Sequence, residues 1–329
     1  YFHNWTGNRV TCRDWFQLCL KEGFTVLRDQ QFSEAQRSEA VQRIDAVKTL
    51  RARQFAEDAG PLAHPVRPES YIEIDNFYTA TVYEKGAEVV RMLRTLTGPE
   101  DFRKATDLYF DRHDGEAATV EQFAVAFEDA AKIDLKQFRL WWSQSGTPEV
   151  KAETAYDAEA QTFTLTLTQS CPPTPGQPVK RPLVIPVRLG LVGADGGDLP
   201  LQLEGENAPA GTERVISLTE PTQTFRFVNV AEKPVPSIGR GFSAPVKWTL
   251  DLSDADRAFL MGRDSDLFNR WEAGQQYAER HLLALAADAA SGRALKADTA
   301  LIDAHALILA DAARDPAFAA LALTPPSVS

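Results

Sequence analysis

The apolar positions of this chain change period twice. Residues 1–146 carry apolar side chains at helical spacing, residues 147–250 alternate every second residue, and residues 251–329 return to helical spacing. In the first stretch Trp15, Leu18, Cys19 and Glu22 fall at i, i+3, i+4 and i+7, which predicts a helix from Arg13 to Leu27. Ser33 then stands where a cap would open a charged amphipathic helix reaching Asp58. Residues 59–69 predict a Pro-rich loop, residues 73–81 a short irregular segment, and Glu84 to Thr95 a helix. Thr97-Gly98-Pro99 predicts a fresh helix start, with Thr97 as cap and Pro99 in the first turn, where its missing N–H needs no partner. Thr119 and Gln122 have capping-box spacing. The last helix of this stretch holds Phe138, Leu140, Trp141 and Trp142 and stops at Gly146-Thr147-Pro148.

The middle stretch reads as strands. Thr162 to Thr168 alternates polar and apolar, the period of a half-buried strand. Ser170 to Pro182 contains five prolines and cannot be a regular element. Further short strands are predicted at Leu183–Val192, Leu199–Leu203, Val215–Leu218, Phe225–Val228 and Pro245–Leu252. Close spacing over this length predicts an antiparallel β-sandwich. After it, Ser253 with Asp254 and Asp256 forms a cap with an acidic first turn. Phe268–Leu285 and Lys296–Ala313 predict paired helices, the opening of a larger helical array. The expected fold class is therefore multidomain α+β, divided as 1–146, 147–250 and 251–329.

Composition narrows the function classes. With 44% hydrophobic and 25% charged residues, the 329-residue chain is an ordinary globular one of about two or three domains. A net charge of −11 argues against nucleic acid or an anionic membrane as the main partner. No apolar run is long enough for a membrane helix, and the first residues lack the basic start and apolar core of a signal peptide. Three cysteines make no disulfide framework and fit a reducing compartment. Cys12 and Cys19, seven apart, are expected on one helix face as small buried groups.

The candidate chemistry lies at the start. Tyr1-Phe2-His3 reads as the last three letters of H-E-x-x-H, and eighteen residues separate His3 from Glu22, the spacing of zinc peptidases with a glutamate third ligand. The segments N-W-T-G-N-R-V-T-C-R-D-W-F-Q-L and K-E-G-F-T-V-L-R-D-Q closely resemble the aminopeptidase N family of zinc metallopeptidases, and the resemblance runs strongly to about residue 275. It implies a thermolysin-like helical catalytic subdomain, a β-sandwich and a C-terminal helical array. It also implies a cytoplasmic enzyme that takes peptide substrates and binds one Zn2+ per complete catalytic domain. His3 and Glu22 would be two of three zinc ligands. The first His and the general-base Glu would stand before Tyr1, so the chain is expected to begin inside the motif and to be inactive alone.

Tyr83 lies in N-F-Y-T-A-T-V-Y-E-K-G-A-E-V-V-R-M, which resembles the family segment with the catalytic tyrosine; a phenol there would stabilise the oxyanion. Tyr78 resembles a position lining the pocket for the substrate's first side chain, with plain packing as the other reading. Asp29, seven residues after Glu22, is either a carboxylate orienting a histidine ligand or a helix-end charge. His64, His113, His281 and His305 are read as solvated or capping. Two alternatives stand beside the peptidase: a bifunctional aminopeptidase and epoxide hydrolase, and a non-catalytic scaffold of sandwich and helices.

Overall fold

Each change of hydrophobic period marks a change of architecture in the computed structural model, which describes residues 1–326. The chain opens with a 3-10 turn, Phe2–Asn4, and a loop leading to strand β1 (Thr11–Cys12), which pairs in parallel with β2 (Ala117–Ala118). Asp14 accepts from the Phe16 amide and caps the 3-10 turn Trp15–Gln17, which feeds helix α1 (Leu18–Gln36). Cys12 is therefore on a strand, with its thiol donating to Gln17 O at the head of α1, and does not share a helix face with Cys19. Burial pushes the Cys12 thiol up to about 11 and the Cys19 thiol up to about 12, so both stay protonated at neutral pH.

Helix α1 runs through Ser33 and past the expected end at Leu27. Ser38 caps the next helix instead, accepting from the Val41 amide at the head of α2 (Glu39–Thr49). Arg37 and Ser38 have the extended backbone that an N-cap needs, whereas Ser33 sits inside the α1 ladder. Helix α2 passes through a π-turn, Leu50–Gln54, into α3 (Phe55–Asp58). After a loop and the 3-10 turn Ile74–Phe77, a second π-turn, Thr81–Lys85, opens helix α4 (Gly86–His113). Helix α4 is broken at Gly98 (φ 78°, ψ 166°). Thr97 does not cap the second half: its hydroxyl donates back to Leu93 O at 2.8 Å and closes the first half. The Thr119–Gln122 capping box opens α5 (Val120–Ala131), and α6 (Leu140–Ser143) ends the stretch.

The middle stretch is a β-sandwich of β3 (Glu149–Asp157), β4 (Thr162–Ser170), β5 (Ile185–Val192), β6 (Gln202–Leu203), β7 (Glu213–Leu218), β8 (Thr222–Val228), β9 (Val235–Ile238) and β10 (Lys247–Leu250). One sheet has the order β10-β3-β4-β8-β6 and the other β7-β5-β9. Strand β3 escaped the sequence reading because only Val150 and Ala152 turn fully inward, and β9 because it contains Pro236. The pairing is antiparallel except at one edge, where β10 lies parallel to β3. The chain crosses to the second sheet at β9 and returns to this edge running in the direction of β3.

Phe163, Leu165 and Leu167 of β4 and Val187, Leu189 and Leu191 of β5 are buried in one core that continues into α1, α4 and α5. The last stretch, α7 (Asp254–Arg263), α8 (Leu267–Ala290), α9 (Thr299–Ala310) and α10 (Pro316–Ala322), does not supply its own core alone. Ile44 and Val47 of α2 pack into it beside Phe268, Trp271 and Ile308. Among the described residues, no helix is long and apolar enough to cross a membrane.

Candidate active site

Helix α1 crosses the second π-turn at very short range. A Cβ on Gly23 would lie 2.6 Å from the Gly86 carbonyl carbon, so only glycine permits this approach. The crossing brings Glu22, next to Gly23, near enough to Tyr83, in the middle of the π-turn, for its charge to act on the phenol. π-turns of this kind often sit at functional sites, because one extra residue in the turn redirects a side chain.

Glu22 is buried, and its Oε2 lies 3.0 Å from His3 Nε2. Lys21 Nζ lies 3.5 Å from the other carboxylate oxygen. The second ring nitrogen of His3 is also held: Nδ1 lies 3.2 Å from Thr6 O and 3.3 Å from Thr25 Oγ1. Thr25 in turn meets Thr6 Oγ1 at 2.5 Å and donates to Thr6 O at 3.0 Å. These contacts fix the ring plane and leave Nε2 as the nitrogen turned toward Glu22. Burial, followed by the charge and hydrogen bonding of Glu22, pushes the Tyr83 phenol well above its ordinary range. Tyr83 therefore stays protonated and able to donate at neutral pH.

The structure thus gathers His3, Glu22 and Tyr83. Tyr78 joins at the rim, exposed, with its ring centroid 6.3 Å from that of Tyr83 and 6.4 Å from that of Trp15. Phe77, below it, stacks on Trp15 at 6.3 Å. Asp29 is exposed on α1, and among the described residues no hydrogen bond or ion pair joins it to His3. Thr6 and Thr25 are the residues that hold His3 Nδ1. Thr25 was within reach of sequence reasoning, since it lies three residues after Glu22 and so on the same helix face. His64 holds the approach to the π-turn, with Nδ1 2.7 Å from Leu62 O and Nε2 2.9 Å from Thr79 Oγ1.

Residues 1–142 match the Peptidase family M1 domain, residues 146–251 an Ig-like domain of unknown function, and residues 254–329 a domain of unknown function built of ARM repeats. The chain is 50% identical over 329 residues to aminopeptidase N of Escherichia coli (strain K12), covering 100% of this chain and 37% of that protein. It is 56% identical over 327 residues to aminopeptidase N of Caulobacter vibrioides, covering 99% of this chain and 36% of the relative. The chain belongs to the aminopeptidase N family, of the bacterial type. It spans a little over a third of the length of these aminopeptidase N relatives. A crystal structure of Legionella pneumophila aminopeptidase A in complex with aspartic acid is similar over 99% of this chain and 34% of that one, with TM-score 0.80 and 28% identity. In this aminopeptidase N family chain, the site lies wholly within the stretch that matches the peptidase domain.

Proposed function

We propose that these residues form part of the active site of a zinc aminopeptidase, in which His3 Nε2 and the Glu22 carboxylate are two metal ligands and Tyr83 stabilises the oxyanion. The observation that carries this reading is the 3.0 Å approach of His3 Nε2 to Glu22 Oε2. Zinc takes imidazole nitrogen and carboxylate oxygen at about 2.0–2.2 Å, which places two tetrahedral ligands about 3.4 Å apart. The pair fits a shared ion with a shift of a few tenths of an ångström. The donor types also fit, and the His3 ring is already oriented through Nδ1. Among the described residues no set of three metal-ligating side chains is gathered, so the fit concerns two ligand positions.

Zinc, when bound, supplies Lewis acidity and lowers the pKa of a bound water. The chain's own residues do the rest of the work assigned to them. His3 and Glu22 hold two coordination positions on rigid elements. Tyr83 donates to the carbonyl oxygen of the scissile amide as negative charge grows on it, and a preorganised donor of this kind lowers the barrier by about 3–4 kcal/mol. Tyr78 and Trp15 border the place where the first side chain of the peptide would lie. No third ligand or general base is assigned among the described residues, so the reading is tested on the full-length protein.

Metal analysis of the full-length protein tests the reading. About one zinc per chain is expected, with loss of metal and of aminoacyl-amide hydrolysis in both His3→Ala and Glu22→Gln. Zinc-free, active full-length protein would overturn it.

A further inference from the structure

The π-turn that carries Tyr83 is fastened at both ends by buried polar groups that lie outside the reaction centre. At its start, Gln54 Nε2 donates to Thr81 Oγ1 at 3.3 Å. At its end, Lys85 Nζ donates to Asp58 Oδ2 and to Gly146 O, both at 2.8 Å. Thr147 Oγ1 donates to the same Asp58 oxygen at 2.9 Å. The Lys85 and Asp58 side chains are each only 1% exposed. Burial alone would raise the Asp58 pKa, but the Lys85 ammonium and the hydrogen bonds hold it below the usual carboxylate range.

The placement of this pair is informative. Asp58 is the last residue of α3 and Lys85 the last of the π-turn, whereas Gly146 and Thr147 are where the helical stretch passes into the sandwich. Gly146 has φ +95°, and a Cβ there would meet Cys171 Sγ at 3.0 Å, so the carbonyl that Lys85 grips is itself fixed. A buried ion pair is a poor stabiliser, since desolvation consumes most of the attraction. Its geometry does hold a backbone turn in one arrangement. A π-turn has one residue more than an α-turn, and its relaxation to regular helix would swing Tyr83 by about 100° relative to α4.

We propose that Lys85 and Asp58 are positioning residues: their buried pair locks the π-turn that aims Tyr83, and ties that aim to the sandwich junction at Gly146 and Thr147. The proposal rests on the oxyanion role given to Tyr83 above. It predicts that the pair acts on turnover through the phenol and leaves metal binding alone.

The experiment is a double-mutant cycle in the full-length protein, with Lys85→Met, Lys85→Arg and Thr147→Val each made alone and with Tyr83→Phe. Hydrolysis of an aminoacyl chromogenic amide and zinc content are measured. Lys85→Met is expected to lower kcat about 10- to 100-fold, the cost of a misplaced catalytic group, with KM and zinc within about twofold. Lys85→Arg recovers part of the loss. In the Tyr83→Phe background, Lys85→Met changes kcat less than about twofold, because the group it positions is already gone. Equal losses in both backgrounds, an unchanged kcat or a loss of zinc would overturn the proposal while leaving the Tyr83 role intact. An unchanged kcat in Tyr83→Phe alone would instead overturn the Tyr83 role and this proposal with it. If Lys85→Met does not fold, Thr147→Val decides the matter by the same cycle, since it removes one donor without stranding a charge. Its expected loss is about three- to tenfold, and an unchanged or background-independent kcat overturns the proposal.

Discussion

Gly23 touches Gly86 so closely that a methyl group on it would lie 2.6 Å from the Gly86 carbonyl carbon and 2.9 Å from its oxygen. Both obstacles are backbone atoms, which cannot turn aside. Gly23→Ala must push α1 from the π-turn, at a cost of about 1–3 kcal/mol for overpacking. Because Glu22 and Tyr83 flank the contact, activity of the full-length protein should fall further than stability does. Denaturant unfolding alongside the hydrolysis assay checks this. Gly60→Ala, whose nearest atoms would be 3.5 Å away, is the control and should change little.

Tyr83→Phe keeps the ring and removes the donor. Under the proposed mechanism kcat should fall by about 10²–10³, the range for losing one oxyanion donor. KM and zinc content should stay near wild type, since the phenol is assigned no ligand role. Steady-state kinetics with parallel metal analysis separates these quantities, and an equal rise in KM would point to substrate binding instead.

Thr25 is placed to steady His3, whereas the sequence reading leaves open which histidine ligand Asp29 would orient. Thr25 Oγ1 lies 3.3 Å from His3 Nδ1 and bonds Thr6 on both its hydroxyl and its carbonyl. Thr25→Val should weaken zinc affinity about 10- to 100-fold, the usual effect of losing a partner behind a metal ligand. Asp29→Asn would do so only if this exposed carboxylate reached another ligand in the full-length protein. Competition with a chromogenic chelator measures both.

Asp264 gives a pH signature at the junction of sandwich and C-terminal helices. Burial raises its carboxyl to about 6, against the opposing charge of Arg240 and with Asp266 adding to the rise. The Arg240 guanidinium bonds it at 3.2 Å and also bonds Asp198 at 2.7 Å. A pKa higher in the folded than in the unfolded chain means the native state holds the proton more tightly. Its contribution to stability is therefore complete below about pH 4 and lost as pH rises through about 6. Relative to Asp264→Asn, wild-type stability should fall across that window. Urea unfolding of both proteins at pH 4.5, 5.5 and 7 tests the sign.

The order helix, sandwich, helix was legible because hydrophobic period depends on local sequence. Thr162 to Thr168 alternates whatever its neighbours are, and the Thr119–Gln122 and Ser253–Asp256 caps need only residues three apart. Helix ends were less legible, since Ser33 and Ser38 are equally good caps on paper and the extended backbone at Arg37 chose between them. Strand β3 was missed because its pairing with β4 and β10, more than its own apolar content, makes it a strand.

By itself the sequence determined which side chains were candidates: His3 and Glu22 through their spacing, and Tyr83 and Tyr78 through their surrounding segment. Only the tertiary structure decided how they meet. The Gly23–Gly86 crossing, the π-turn at Thr81–Lys85, the grip of Thr6 and Thr25 on His3 and the buried Lys85–Asp58 pair all join residues from separate elements. Local patterns report which face of a helix is apolar. They carry no record of which other helix it meets, at what distance, or with what polar group buried between.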